Sequence, residues 1–346
     1  MYGCSPPLSG DFVFNGSAKG FEGLHFIKVN ARCSEILVAT YSTKYNKTLH
    51  RMLEWDFSLS IGHFGHEEEL AMKVVLFCGG LGLRLRDADQ IPKPMAVIGY
   101  RPILWYVMKY FAHFGFKDFI LCLGYRGDLI KQFFLNYNEY LSNDFVFSDG
   151  GKELVAENSD IRDWKITFAD TGLHSNLGER LLAVRKYLDG EEMFLANYCD
   201  GFTDLHLPTY LDYARRQDKI ATFLSVRPNL SYHVVRTASD GSVSEIKELM
   251  QTDIRINAGF FVLKKDIFKY LLPGEELVVK PFQRLIEKKQ LAALEYDGFF
   301  AAMDTFKDKQ YLEGLYERGD AVWEVWKKTQ SSPTIREVAA APATGL

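Results

Sequence analysis

Cysteine is scarce and scattered in this sequence: five residues, Cys4, Cys33, Cys78, Cys122 and Cys199, odd in number and without a C-x-x-C pair. That argues against a disulfide framework and against a structural zinc site. Cys78 and Cys122 sit inside apolar runs and read as small buried hydrophobes. Long apolar runs are lacking too. None approaches the ~18 residues that a membrane span requires. No basic stretch followed by an apolar core opens the chain, so no secretory signal is expected and a cytoplasmic protein is. An excess of one charge is also missing. Lys plus Arg is 41 and Asp plus Glu is 45, a formal net charge of −4. A chain so near neutrality has no global attraction for nucleic acid, and any phosphate site must be local. His63 and His66 form one close histidine pair, which reads as an accident of surface or core.

What is present is ordinary globular composition, 47% hydrophobic and 25% charged, which excludes a disordered chain or a fibrous repeat. The length of 346 residues allows one large domain or two ordinary ones. The chain divides near Met72. Residues 1–71 carry no chemical motif and are expected to be a poorly ordered extension of unknown role, or upstream sequence ahead of the true start. Residues 72–330 form the main domain, and 331–346, rich in Ala, Pro, Ser and Thr, a disordered tail.

Within the main domain, strands and helices alternate. Strands are expected at 74–77, 119–123, 165–169, 193–196 and 221–226. Helices are expected at 102–114, 128–135, 178–188 and 207–217. Continuous apolar strands between amphipathic helices indicate an α/β fold, a mostly parallel mixed sheet sandwiched by helices. After residue 226 short segments at 234–236, 243–246 and 259–263 read as an antiparallel or mixed extension of that sheet. Helices follow near 264–272, 280–288 and 307–318. Ligands of such sheets bind beyond the carboxyl ends of the strands, where the loops at 78–87 and 198–204 lie.

The strongest local pattern is a strand running into Gly79-Gly80-Leu81-Gly82-Leu83-Arg84-Leu85, followed by Pro92-Lys93-Pro94-Met95. Glycines at a strand exit let backbone N–H groups approach a phosphate. Arg84 and Lys93 add a planar fork and a point charge. A dinucleotide fingerprint fails at Leu85, and a P-loop lacks its Lys-Ser or Lys-Thr. Two distant carboxylates come next. Asp200, in Tyr198-Cys199-Asp200-Gly201, lies at a strand exit, and Asp304 precedes the last helix. Converging, they suit a Mg²⁺ that keeps several waters and binds substrate phosphates. Separately, they read as a turn residue and a helix cap. Gly178-Glu179-Arg180-Leu181 opens a helix, whose start and Arg180 can hold anions or base edges, or be an ordinary helix start. Asn257-Ala258-Gly259 precedes an apolar strand, either to bond sugar hydroxyls or simply as a turn.

These features, in this order, resemble the sugar-1-phosphate nucleotidyltransferases over roughly residues 72–328, and within them the glucose-1-phosphate cytidylyltransferase branch. Trp164-Lys165-Ile166-Thr167-Phe168-Ala169-Asp170-Thr171-Gly172 looks like that branch. So do Met303-Asp304-Thr305 with Lys307-Asp308-Lys309, Tyr311-Leu312-Glu313-Gly314-Leu315 and Trp323-Glu324-Val325-Trp326. The resemblance implies a Rossmann-like nucleotide-sugar transferase fold. It implies attack of a sugar 1-phosphate on the α-phosphorus of an NTP, here CTP and glucose 1-phosphate, with loss of pyrophosphate. It places the triphosphate on Gly79, Gly80 and Gly82, with Arg84 on the β- and γ-phosphates. It puts Lys93 on the α-phosphate, Mg²⁺ on Asp200 and Asp304, Arg180 near the base, and Asn257 and Gly259 on the sugar. It also implies a homo-oligomer.

Two departures stand out. Leu83 replaces a usual Thr, which bears on the nucleotide. The usual Glu-Lys-Pro of the sugar side becomes Glu245-Ile246-Lys247-Glu248-Leu249, from which Lys247 would reach the sugar phosphate. The alternatives are UTP, dTTP or another sugar phosphate, or a nucleotide-sugar-binding regulatory subunit without catalysis.

Overall fold

A computed structural model describes residues 24–31, 34–41, 72–80, 91–229 and 232–327. The chain falls into two units, Met1–His66 and Glu67–Leu346. In the first, Leu24–Ala31 and Ser34–Tyr41 pair as an antiparallel hairpin, Leu24 opposite Tyr41. It lies inside the stretch that carries no motif.

The second unit is built on a seven-stranded sheet. Its strands in chain order are β1 (Val74–Phe77), β2 (Asp118–Leu123), β3 (Lys165–Asp170), β4 (Met193–Asn197), β5 (Ala221–Val226), β6 (Ile256–Lys264) and β7 (Leu291–Tyr296). Their spatial order is β7-β5-β6-β4-β1-β2-β3. Every neighbouring pair is parallel except those that β6 makes with β4 and β5. The fold is therefore the expected mostly parallel mixed sheet.

Alternation along β1 explains the layers. Val74 and Leu76 pack on one face of the sheet, Val75 and Phe77 on the other, and all four are buried. Successive strand side chains point to opposite faces, so a strand covered on both sides reads as one apolar run. The first face is covered by α1 (Ile103–His113) and α4 (Leu207–Gln217), through Leu104, Met108, Phe111, Tyr210 and Leu211. The second is covered by α3 (Leu177–Val184) and α5 (Lys280–Glu287), through Leu181, Val184, Phe282 and Leu285. Helix α2 is Gly127–Leu135 and α6 is Phe306–Glu317. None of the described helices is long and apolar enough to cross a membrane.

Two expectations are corrected. The segments near 234–236 and 243–246 do not extend the sheet. They form a separate antiparallel hairpin, His233–Thr237 with Val243–Glu248, because both faces of the pair stay largely exposed and offer no core face to the sheet. The helix near 264–272 is a short 3₁₀ turn, Lys265–Lys269. A further hairpin, Phe145–Ser148 with Glu153–Ala156, was not signalled by the pattern.

A buried polar knot ties α1 to the segment carrying that hairpin. Asp160 accepts hydrogen bonds from Lys109 Nζ at 3.0 Å, Tyr137 Oη at 3.0 Å, Asn143 Nδ2 at 3.3 Å and Ser142 Oγ. The Arg101 guanidinium, itself buried, lies 3.7 Å from the same carboxylate and 4.4 Å from the centre of the Tyr137 ring. Burial pushes the Asp160 carboxyl up, but Ser142 and Lys109 outweigh it and hold it below the usual carboxylate range.

A carboxyl with a depressed pKa contributes stability that is full above its unfolded pKa. That contribution is lost as the pH falls through the lower folded value. Asp160→Ala, which strands the buried Arg101 guanidinium, is expected to cost about 3 kcal/mol in denaturant unfolding at neutral pH. The gap to wild type should narrow in acid; a gap that widened there would overturn the assignment.

Candidate active site

After β1 the chain runs through β2 and β3 toward one edge of the sheet, whereas β4 returns on the other side of β1. The crevice between the carboxyl ends of β1 and β4 is thus a topological switch point, where open α/β sheets take their ligands. Two chain exits line it, Cys78-Gly79-Gly80 and Tyr198-Cys199-Asp200. Cys199 turns the second exit sharply, with φ +65°, and Asn197 Oδ1 accepts its N–H at 2.7 Å. The buried Sγ atoms of Cys78 and Cys199 lie 3.6 Å apart and fill the space between the exits. Burial, helped by Cys199, pushes the Cys78 thiol well above its usual range, so it stays a neutral packing group.

The floor of the crevice is one guanidinium. Arg180, from the first turn of α3, is 3% exposed. Its Nη1 donates to Thr171 Oγ1 at 2.7 Å, Gly172 O at 3.0 Å and Leu123 O at 3.2 Å, and its Nη2 to Gly79 O at 3.0 Å. It therefore ties together the exits of β1, β2 and β3. A Cβ on Gly79 would fall 2.1 Å from Arg180 Nη1, and one on Gly124 would fall 2.6 Å from Gly79 O. These two glycines are where the backbone closes on the guanidinium. Asn176 caps α3 and forms a reciprocal capping box with Glu179, which fixes the turn that carries Arg180.

Lys93 starts a 3₁₀ turn, Lys93–Met95, between Pro92 and Pro94. Its Nζ donates to Asp200 Oδ2 at 2.7 Å and to Asp304 Oδ1 at 2.5 Å. The two carboxylates meet because their flanking strands pair. Gly201–Thr203 runs antiparallel to Phe300–Ala302, Gly201 opposite Ala302, and Met303 N donates to Asp200 O at 2.9 Å. Asp200 precedes one strand of this ribbon and Asp304 follows the other. Asp304 is not the helix cap. Thr305 caps α6, and Asp308 closes the box and also accepts the Asp304 N–H at 3.1 Å. The Asp304 side chain is left to face Lys93. Burial works against charge on Lys93, but Asp200 and Asp304 outweigh it and hold its ammonium above the ordinary range. For Asp200 burial wins: it raises the carboxyl pKa despite Lys93.

On the other flank of Asp200, Asn257 Nδ2 donates to Tyr198 Oη at 2.9 Å and Asn257 Oδ1 accepts the Gly259 N–H at 2.9 Å. Gly259 has φ +73°, and a Cβ there would fall 2.2 Å from the Tyr198 ring. Lys247 stands on the exposed His233–Thr237/Val243–Glu248 hairpin, paired with Glu245. None of its described contacts reaches Lys93, Asp200 or Asp304. Gly80 is exposed at the first exit. Gly82 and Arg84 lie outside the described residues. Sequence reasoning missed Asn197, Tyr198, Thr171 and Gly124. Only Gly124, directly after a strand, carried a visible signal.

No family model matches the chain. Glucose-1-phosphate cytidylyltransferase of Salmonella typhimurium is 37% identical over 260 residues, covering 74% of this chain and 100% of that protein. The chain belongs to the glucose-1-phosphate cytidylyltransferase family. A D-glycero-α-D-manno-heptose 1-phosphate guanylyltransferase of Campylobacter jejuni is 26% identical over 66% of this chain and 93% of its own length. The solved structure of a UDP-glucose pyrophosphorylase complexed with UDP-glucose shares the fold, with TM-score 0.54 at 16% identity over 72% of this chain and 99% of that one.

As a member of the cytidylyltransferase family the chain should accommodate a divalent cation, and its donors can be tested for that. Among the described residues no group of three or more His, Cys, Asp and Glu side chains forms a closed cage. Asp200 and Asp304 do converge on one cation, the Lys93 ammonium. Two hard oxygen donors on an open crevice fit Mg²⁺, which keeps waters and shares substrate phosphates.

The packing around Arg180 generates a contrast between adjacent glycines. Gly79→Ala pushes a methyl into the guanidinium and is expected to lower unfolding stability by about 1–3 kcal/mol. Gly80→Ala, whose Cβ would meet nothing within 4 Å, should leave it nearly unchanged. Equal effects in chemical denaturation would contradict the packing described.

Proposed function

We propose that this chain transfers the cytidylyl group of CTP to glucose 1-phosphate, giving CDP-glucose and pyrophosphate. The observation that carries the reading is the convergence of Lys93, Asp200 and Asp304 at the switch point, beside the Gly79-Gly80 strand exit. An oxygen of the sugar phosphate attacks the α-phosphorus, and the bond from that phosphorus to the bridging β-phosphate oxygen breaks. The nucleophile is already anionic, so the site must align and neutralise rather than remove a proton.

In this reading Gly79 and Gly80, with Gly82, let backbone amides approach the triphosphate, and Arg84 holds its β- and γ-phosphates. Lys93 neutralises charge on the α-phosphate. Arg180, which forms no ion pair among the described residues, lies at the Gly79 exit and would serve the base. Asn257 and Gly259, set by Tyr198, face the sugar, and Lys247 serves the sugar phosphate. Asp200 and Asp304 would hold Mg²⁺, which when bound would neutralise phosphate charge and favour departure of pyrophosphate. We place the enzyme in the cytoplasm, a reading supported by the free buried thiols Cys78, Cys122 and Cys199.

Leu83 favours one second reading, the same reaction with UTP or dTTP. The retained carboxylates and cations favour catalysis over a regulatory subunit. Pyrophosphate release with glucose 1-phosphate and CTP, UTP, dTTP, ATP or GTP separates these outcomes. A rate with CTP alone is expected; a rate with UTP or dTTP moves the base assignment, and silence with all five removes the reaction. Asp200→Asn should lower turnover at least ~100-fold with circular dichroism unchanged. Wild-type turnover in that variant would take Asp200 out of the mechanism.

The same reading includes a homo-oligomer. It is supported by two hairpins that expose apolar side chains, among them Phe147 and Val155 on one and Val235 and Ile246 on the other. Lone two-stranded hairpins are marginal in water, and exposed apolar surface of this kind marks contact sites. Sedimentation equilibrium should give a mass above one chain, reduced by Phe147→Asp with Ile246→Asp. A monomeric wild type would exclude it.

A further inference from the structure

We propose that Lys93 is the resident counter-ion of the carboxylate pair, so that the protein admits its metal as the metal–nucleotide complex and excludes the free ion. The inference rests on the nucleotidyl-transfer reading and deepens it, because it specifies the form in which the first substrate is recognised.

The geometry is direct. One ammonium bridges Asp200 Oδ2 and Asp304 Oδ1, at 2.7 and 2.5 Å. These two oxygens are the donors that a divalent cation would take at this point. The Lys93 side chain is 15% exposed, against 24% for Asp200 and 51% for Asp304, so the lysine is the innermost of the three. Two carboxylates brought together by a backbone ribbon repel each other unless a cation lies between them. Lys93 supplies that charge before any ligand arrives.

A free Mg²⁺ must therefore break two charge-assisted hydrogen bonds. It would also leave an ammonium whose described carboxylate partners are both taken. Such an exchange is unfavourable because a mostly buried charge is stranded. A metal bound to a triphosphate changes the balance. Asp200 and Asp304 would then hold the metal while Lys93 passed to phosphate oxygens, so that every charge would keep a partner.

The backbone suits a swing of the side chain alone. Lys93 lies between Pro92 and Pro94, and the rings fix φ at both neighbours. Four rotatable methylenes then carry the ammonium from one set of oxygens to the other. The same residue thus blocks the cation position in the empty protein and serves the α-phosphate in the loaded one.

The experiment is a titration of Mn²⁺ alone into the full-length protein, with free Mn²⁺ read by electron paramagnetic resonance. Wild type, Lys93→Met, Lys93→Arg and the double variant Lys93→Met/Asp200→Asn are compared, each first checked by circular dichroism. Without nucleotide, Lys93→Met is expected to bind Mn²⁺ at least tenfold more tightly than wild type. Lys93→Arg, which keeps the charge, should stay weak, and the double variant should lose the gain. Adding CTP should raise Mn²⁺ affinity in wild type by at least tenfold. Equal binding by wild type and Lys93→Met, or binding by neither, overturns the proposal. Pyrophosphate release by wild type is measured separately. Turnover with equal Mn²⁺ binding removes the counter-ion role alone, whereas no turnover with any nucleotide removes the underlying reaction.

Discussion

The buried guanidinium of Arg180 is the constraint on which the crevice depends. Three adjacent strands end in carbonyl oxygens that converge on the same space; Gly79 O and Leu123 O also accept backbone N–H groups of Tyr125 and Thr171. Arg180 adds one donor group common to all three exits, reaching Gly79, Leu123, Thr171 and Gly172 from a single side chain. Glycine at 79 and 124 follows from its bulk, since a Cβ at either position would collide with it or with the backbone it holds. No carboxylate among the described residues forms an ion pair with it. Burial lowers its pKa, yet a guanidinium stays charged at any physiological pH. The exit at Gly79 therefore rests on fixed positive charge in a region of low dielectric.

A second arrangement depends on the first only through the sheet. Asp200 leaves β4 through the left-handed turn at Cys199, and Asp304 approaches from the far end of the chain. They meet because three residue pairs of a short ribbon set their register. The chemistry of α6 is arranged to leave Asp304 free: Thr305 and Asp308 satisfy the helix start between them. Had Asp304 been the cap, its oxygen would have faced backbone N–H groups and not Lys93.

The central sheet was legible in the sequence because its strands are covered on both faces and so read as unbroken apolar runs. The strands Val74–Phe77 and Asp118–Leu123 are the clearest cases. The edge strand Leu291–Tyr296 was not, since Ala, Ala and Glu dilute its pattern where only one neighbour covers it. The hairpins at 145–156 and 233–248 defeated the reading for a different reason. Their apolar residues face outward, so periodicity gives no core face to detect. In the site, Lys93, Asp200 and Asp304 were picked out by resemblance and local chemistry, and the structure brings these three together. The convergence of Asp200 and Asp304 was expected from the resemblance; local spacing alone could not show it, because it is set by strand pairing between residues about a hundred positions apart. Arg180 was visible as a charge at a helix start, but its burial beneath Gly79 could not be read from one dimension.

That same ribbon has a consequence for how the molecule comes into being. Contacts between distant parts of a chain form late, because the entropy of closing the intervening loop is lost before the contact returns anything. The pairing of Gly201–Thr203 with Phe300–Ala302 spans such a loop, and it encloses α4, β5, β6, α5 and β7. During synthesis the three strand exits joined by Arg180 can assemble while the second carboxylate is still missing. The crevice therefore gains its shape before it gains its paired negative charge. A chain that ends before residue 300 lacks Asp304, and with it the pair of carboxylates that meets Lys93.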